Sequence, residues 1–122
     1  LLLVDAFSSD SIPVHLLTKQ AMQLYKDRIT DDGLLAVHIS NRYIALEPVV
    51  AVLAKEVGLA ARLWSDDADS YPGKTSSSWI VLAQSEAALG GLTAPANVGG
   101  AAAAAGPAAW ATLRPWTTVQ TA

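Results

Sequence analysis

Residues 34–64 read LLAVHISNRYIALEPVVAVLAKEVGLAARLW, and this stretch decides the fold class. It opens with an apolar run over 34–39 that stops at Ser40, Asn41 and Arg42, as a buried strand does on reaching a polar rim. From Leu46 to Val57 the spacing turns helical. Leu46, Val49, Val50, Leu53, Ala54 and Val57 fall on one stripe, which predicts the face turned to the core. Pro48 sits in the first turn, where its missing N–H leaves no bond unmade, and Gly58 marks the end. Residues 59–64 are apolar again and predict a further strand. Strand, helix, strand at this spacing is a βαβ-type unit.

The same alternation extends in both directions. Before it, residues 1–7 (LLLVDAF) form an apolar run broken by Asp5. FSSDSIP comes next, rich in turn formers, with Pro13 unable to continue a strand ladder. Over 18–29 a helix is predicted, with Thr18 as its N-cap and Ala21, Met22, Tyr25 and Ile29 on its apolar side. Asp31, Asp32 and Gly33 make the exit turn. After the unit, residues 65–75 (SDDADSYPGKT) are a loop by composition, and residues 77–83 (SSWIVLA) are a fourth strand. The whole predicts an α/β sheet with right-handed crossovers over residues 1–86. Residues 87–122 are an Ala/Gly-rich, low-complexity tail carrying one charge, Arg114, with a short alanine helix docking through Trp110 and Trp116 as the other reading. The opening LLLVDAF has no Met, turn or cap before it, and reads as the interior of a longer protein.

Composition removes several function classes. The 122 residues hold 8 Lys and Arg against 11 Asp and Glu, a net charge of −3, so no basic surface for nucleic acid is expected. There is no cysteine, hence no disulfide framework, thiol nucleophile or thiolate metal site. Only His15 and His38 remain as imidazoles, and no metal site is expected from them. Four tryptophans and a mean hydropathy of +0.31 point to a packed core rather than disorder. No apolar stretch reaches the roughly 18–20 residues that span a bilayer, and the N-terminus lacks the charged start of a signal peptide.

In an open α/β sheet, ligands bind outside the carboxyl ends of the strands. Asp5, Ser8, Ser9 and Asp10 lie just past the first strand, and His38, Ser40 and Asn41 lie at the tip of the second. Tyr71 stands in the loop before the last strand. Such a cluster, with two carboxylates, an imidazole and a phenol, suits a cationic ligand. Each residue also has a structural reading. Asp5 can cap the FSSD backbone, Asp10 can cap the segment after it, His38 can be a satisfied half-buried side chain, and Tyr71-Pro72-Gly73 can be a plain turn. Asp66, Asp67 and Asp69 read as a solvated loop, and His15 as the start of a helix. No phosphate-binding, nucleophile-elbow or metalloprotease motif is present. A Ser-His-Asp triad is compatible with the residue types, but no elbow presents a serine for it.

The strings VDAFSSDSIPVHLLT (4–18), DDGLLAVHISNRYIALEPVV (31–50) and YPGKTSSSWIVLAQ (71–84), in that order and spacing, resemble the C-terminal half of the spermidine synthase-like proteins, the polyamine aminopropyltransferase family. The likeness is to the bacterial branch often fused to membrane-spanning segments. It covers residues 1–86, with an echo at Arg114-Pro115-Trp116. It implies the C-terminal half of a doubly wound, Rossmann-like sheet of the S-adenosylmethionine-dependent methyltransferase type, with about four strands, two main helices and an antiparallel last strand.

The family moves an aminopropyl group from decarboxylated S-adenosylmethionine to putrescine or a similar polyamine. The resemblance makes Asp5 the catalytic carboxylate that accepts the amine's proton. It places Asp10, His38 and Tyr71 on the amine, and Pro13 and Leu17 on the adenine side of the co-substrate. Most of the co-substrate's binding half, including the glycine-rich turn after the first strand, belongs upstream, so the chain alone is expected to be inactive. It is expected to need that half or to self-associate, to contact neither nucleic acid nor membrane, and to be cytoplasmic. His38 and Ser40 stand where the well-studied synthases commonly carry glutamine and an acidic residue.

The chemistry suits these residue types. An alkylammonium must lose a proton before it attacks carbon, and a carboxylate beside it both binds the cation and can take that proton. The sulfonium is already a leaving group, so positioning is the main task and no metal is called for. Two other readings stand beside this one: a small-molecule methyltransferase on the same fold, and a non-catalytic sheet-completion or dimerisation module built on the apolar edge of LLLVDAF.

Overall fold

The computed structural model describes residues 1–6, 13–41, 43–66, 72–73, 75–93 and 111–112. The elements are β1 (Leu2–Val4), α1 (Lys19–Arg28), β2 (Leu34–His38), α2 (Glu47–Val57), β3 (Ala60–Asp66), β4 (Ser77–Ala83), α3 (Glu86–Leu89) and a two-residue β5 (Ala111–Thr112). A 3-10 turn over Val14–Leu16 precedes α1, and another over Gly90–Thr93 comes after α3. The expected helix boundary at Thr18 holds for a physical reason. Thr18 is extended, and its hydroxyl accepts the Ala21 N–H at 3.1 Å, satisfying one of the free amides of the first turn. α2 carries its proline in the first turn and ends on Gly58, whose φ of 72° is the left-handed conformation that glycine adopts without strain.

The strands form one mixed sheet in the order β1-β2-β4-β3-β5. β1 and β2 are parallel, with Val4 beside Val37. β4 is antiparallel to both β2 and β3, so β1, β2 and β3 all run the same way. The crossover from β2 through α2 leaves a gap that β4 returns to fill. The chain is thus α/β with an open mixed sheet, as the strand–helix alternation predicts, and its fourth main strand is antiparallel.

Strand alternation divides the core between the two faces of the sheet. On one face Val4, Leu35, Val37, Ile80 and Leu82 meet Met22 of α1 and Val50, Ala51, Ala54 and Val57 of α2. Met22, Leu35, Ile80 and Leu82 are fully buried, each contributing roughly 1.5–3 kcal/mol relative to exposure. On the other face Val81, Ala83 and Leu89 form a smaller cluster with Leu34, Ala36, Ala60, Ala88 and Leu92. α3 is fastened there by Arg62 of β3, which pairs with Glu86. One residue of the predicted α2 stripe departs from it. Val49 is exposed while Ala51 is buried, because the apolar arc of this helix is wider than the face it turns to the sheet.

Among the described residues no helix is long and apolar enough to cross a membrane. The readings of residues 94–110 and 113–122, with Trp110 and Trp116, lie outside the described residues.

Candidate site at the carboxyl rim of the sheet

The shared direction of β1, β2 and β3 puts their carboxyl ends on one rim, joined there by the start of β4. Asp5 comes directly after Val4, and pleating turns it to the face opposite Val4, the same face as His38. Asp5 Oδ1 lies 2.9 Å from His38 Nδ1. The other ring nitrogen, Nε2, lies 2.7 Å from Ser40 Oγ. Ser40 Oγ in turn accepts the backbone N–H of Ser78 at 2.7 Å. The ring stacks on Trp79 of β4, with centroids 4.6 Å apart and planes 23° from parallel. Trp79 is paired in register with His38 on one side and Trp64 on the other.

The result is a continuous chain from Asp5 through His38 and Ser40 to the amide of Ser78. An ionised carboxylate only accepts hydrogen bonds, so the Nδ1 atom facing Asp5 is the protonated one. In the neutral ring Nε2 then accepts from the Ser40 hydroxyl. Asp5 keeps 48% of its side chain exposed, against 22% for His38, so the carboxylate faces solvent and the imidazole stands behind it. The order Asp–His–Ser has the sense of a hydrolase relay. Here, however, Ser40 is tied to the sheet by the Ser78 amide and sits two residues along the chain from His38, with no strand-to-helix elbow to present its oxygen.

Next to it, Asn41 shapes the turn into α2, its Oδ1 accepting the N–H groups of Tyr43 (2.8 Å) and Ile44 (3.0 Å). Tyr43 is exposed at 73%.

Of the residues singled out in the sequence, Asp5 and His38 are brought together. Pro13 heads the 3-10 turn, accepting from Leu16 N–H at 2.9 Å, and Leu17 is half-buried against the main core. Neither makes a hydrogen bond to Asp5 or His38. His15 lies exposed within that turn. Asp10 and Tyr71, with Ser8, Ser9, Asp67 and Asp69, lie outside the described residues. Trp79 had no signal of its own in the sequence; only the antiparallel register that pairs it with His38 brings it to the site. Among the described residues no group of three or more His, Asp or Glu side chains could hold a metal ion. Comparison with family models, with curated proteins and with solved structures finds no match to this chain.

Proposed function

We propose that this chain carries the amine-binding half of a spermidine synthase-like aminopropyltransferase. Asp5 is the carboxylate that receives the ammonium of putrescine or a similar polyamine and takes its proton. The observation that carries the reading is a half-exposed carboxylate closing a parallel strand at the carboxyl rim of the sheet and held by His38. The motif strings through Asp5, His38 and Tyr71 add to it.

In this reading the amine's nitrogen, once deprotonated, attacks the propyl carbon bound to the sulfonium of decarboxylated S-adenosylmethionine. A carbon–nitrogen bond forms as the carbon–sulfur bond breaks, and methylthioadenosine leaves with the electron pair. Asp5 holds the ammonium in place and accepts the proton. Asp10 and Tyr71 complete the amine side, and Pro13 and Leu17 border the adenine. A methyl donor on the same fold would ask different things of the rim: an ammonium-binding carboxylate serves an amine substrate above all.

The test is titration of the full 122-residue chain with putrescine, monitored by amide chemical shifts. Saturable shifts centred on Ala6 and His38 are expected, lost in Asp5→Asn, whose amide oxygen can still accept from His38. Binding that survives Asp5→Asn unchanged, or no binding by the parent sequence, would overturn the assignment.

A second reading is favoured by one observation. Among the described residues β1 is the outermost strand of the sheet, with β2 on one side of it, as expected of an edge that pairs with another chain. Light scattering on the eluting protein separates the two: a monomer at all concentrations removes this reading.

A further inference from the structure

The chain of contacts behind Asp5 accommodates His38 in two charge states without moving the ring. With the imidazole neutral, Nδ1–H donates to Asp5 and the Ser40 hydroxyl donates to Nε2. With the imidazole protonated, Nδ1–H still donates to Asp5, while Nε2–H donates to Ser40 Oγ and the hydroxyl hydrogen swings away. Ser40 Oγ keeps the Ser78 N–H bond in both cases. Stacking on Trp79 holds the plane of the ring and tolerates either charge. A serine hydroxyl, able both to donate and to accept, keeps Nε2 partnered in either charge state.

We propose that His38 is a charge gate for Asp5: neutral, it leaves the carboxylate's charge for an ammonium ligand, and protonated, it cancels that charge and expels the ligand. The inference rests on the amine-binding reading above and adds its regulation.

Among the described residues, the groups around His38 are these. From β1 the group facing His38 is Asp5, and from the end of β2 it is Ser40. β4 contributes Ser78 and Trp79, neither charged, and β3 contributes Trp64 in register beyond Trp79. On this face of β3, Arg62 is paired with Glu86, and Asp66 stands at the strand's carboxyl end. α1 and α2 pack on the other face. A proton on His38 therefore places a full positive charge one hydrogen bond from Asp5, where a cationic ligand competes for the same carboxylate. Thermodynamic linkage makes the effect mutual: the factor by which the proton weakens the amine is the factor by which the amine weakens the proton.

The experiment uses the full chain, ¹⁵N-labelled in histidine, titrated with putrescine at about pH 8 and about pH 5, either side of the range in which imidazoles gain their proton. Putrescine affinity is expected to fall at least tenfold at the lower pH. Saturating putrescine is expected to keep His38 in its neutral, Nδ1–H form to lower pH, with exposed His15 unaffected as the internal reference. In His38→Gln, whose amide N–H can replace Nδ1–H, and in His38→Asn, affinity is expected to become the same at both values.

Equal affinity at both values in the parent chain, or an undiminished fall in either variant, overturns the gate while leaving the amine site standing. Absence of putrescine binding at both values overturns the gate and the amine site together.

Discussion

Asp5 and His38 meet at 2.9 Å although 33 residues separate them in the chain. The parallel register that sets Val4 beside Val37 brings the next pair of residues together on the opposite face. From there the contacts run through Ser40 to the Ser78 amide, so a small hydroxyl joins the site to the sheet.

Ser40→Ala strips two groups of their partner at once, His38 Nε2 and the Ser78 N–H. Leaving such groups unsatisfied costs about 1–3 kcal/mol, and the partial exposure of His38 favours the lower half of that range. The expected outcome is a lower urea midpoint with an unchanged slope, largely restored in Ser40→Thr. A midpoint equal to that of the parent chain would show that Ser40 is not holding the two strands.

The second joint lies at the far end of α2. Lys26 of α1 donates from Nζ to the carbonyl of Val57 at 2.6 Å, placing a cation at the negative end of the α2 dipole. Lys26→Met keeps the stem and removes the charge, and should cost about 1–2 kcal/mol. For a chain of 122 residues that is a fall in melting temperature of roughly 4 °C per kcal/mol. Gly58→Ala, which forces a side chain into a φ of 72°, should cost about 1 kcal/mol more. Thermal unfolding by circular dichroism checks both.

Much of this architecture was legible because each element carries its own local signal. Thr18 precedes the helical spacing and caps it; Gly58 ends the second helix; the SSWIVLA run is β4 over its full length. Asp5 and His38 could be placed on one rim by the strand-end rule. Their direct pairing could not be read, because it depends on inter-strand register, which no local pattern encodes. Trp79 was silent for the same reason. The buried face of α2 is rotated from the one its periodicity predicts, since Val49 and Ala51 flank an apolar arc that continues past that face.

That rotation gives a sharp contrast between two residues of similar character. Ile80 is fully buried in the centre of β4, so Ile80→Ala should cost about 2–5 kcal/mol. Val49 is 41% exposed, so Val49→Ala should change stability by less than about 0.5 kcal/mol, with alanine's better helix propensity offsetting the lost contact. Urea unfolding of the two variants decides it. Equal losses would mean that α2 turns Val49 to the sheet after all.

Tyr25 supplies a pH dependence whose sign can be worked out. Its hydroxyl donates to the Leu16 carbonyl at 3.1 Å, tying α1 to the turn before it, and burial raises its pKa above the ordinary value of 10.0. The folded chain therefore holds this proton more tightly than the unfolded chain does. Stability from that source is fully present below the unfolded value of about 10 and is lost as the pH rises through it toward the higher folded value. At neutral pH, Tyr25→Phe should cost about 0.5–1.5 kcal/mol for the missing hydrogen bond. Above about pH 10 the parent chain should lose stability more steeply than Tyr25→Phe, so the difference between them narrows. Lysines titrate in the same range but are common to both proteins, so subtracting one urea-unfolding profile from the other isolates the phenol. A difference that stays constant through that range would show that Tyr25 titrates alike in the folded and unfolded chains.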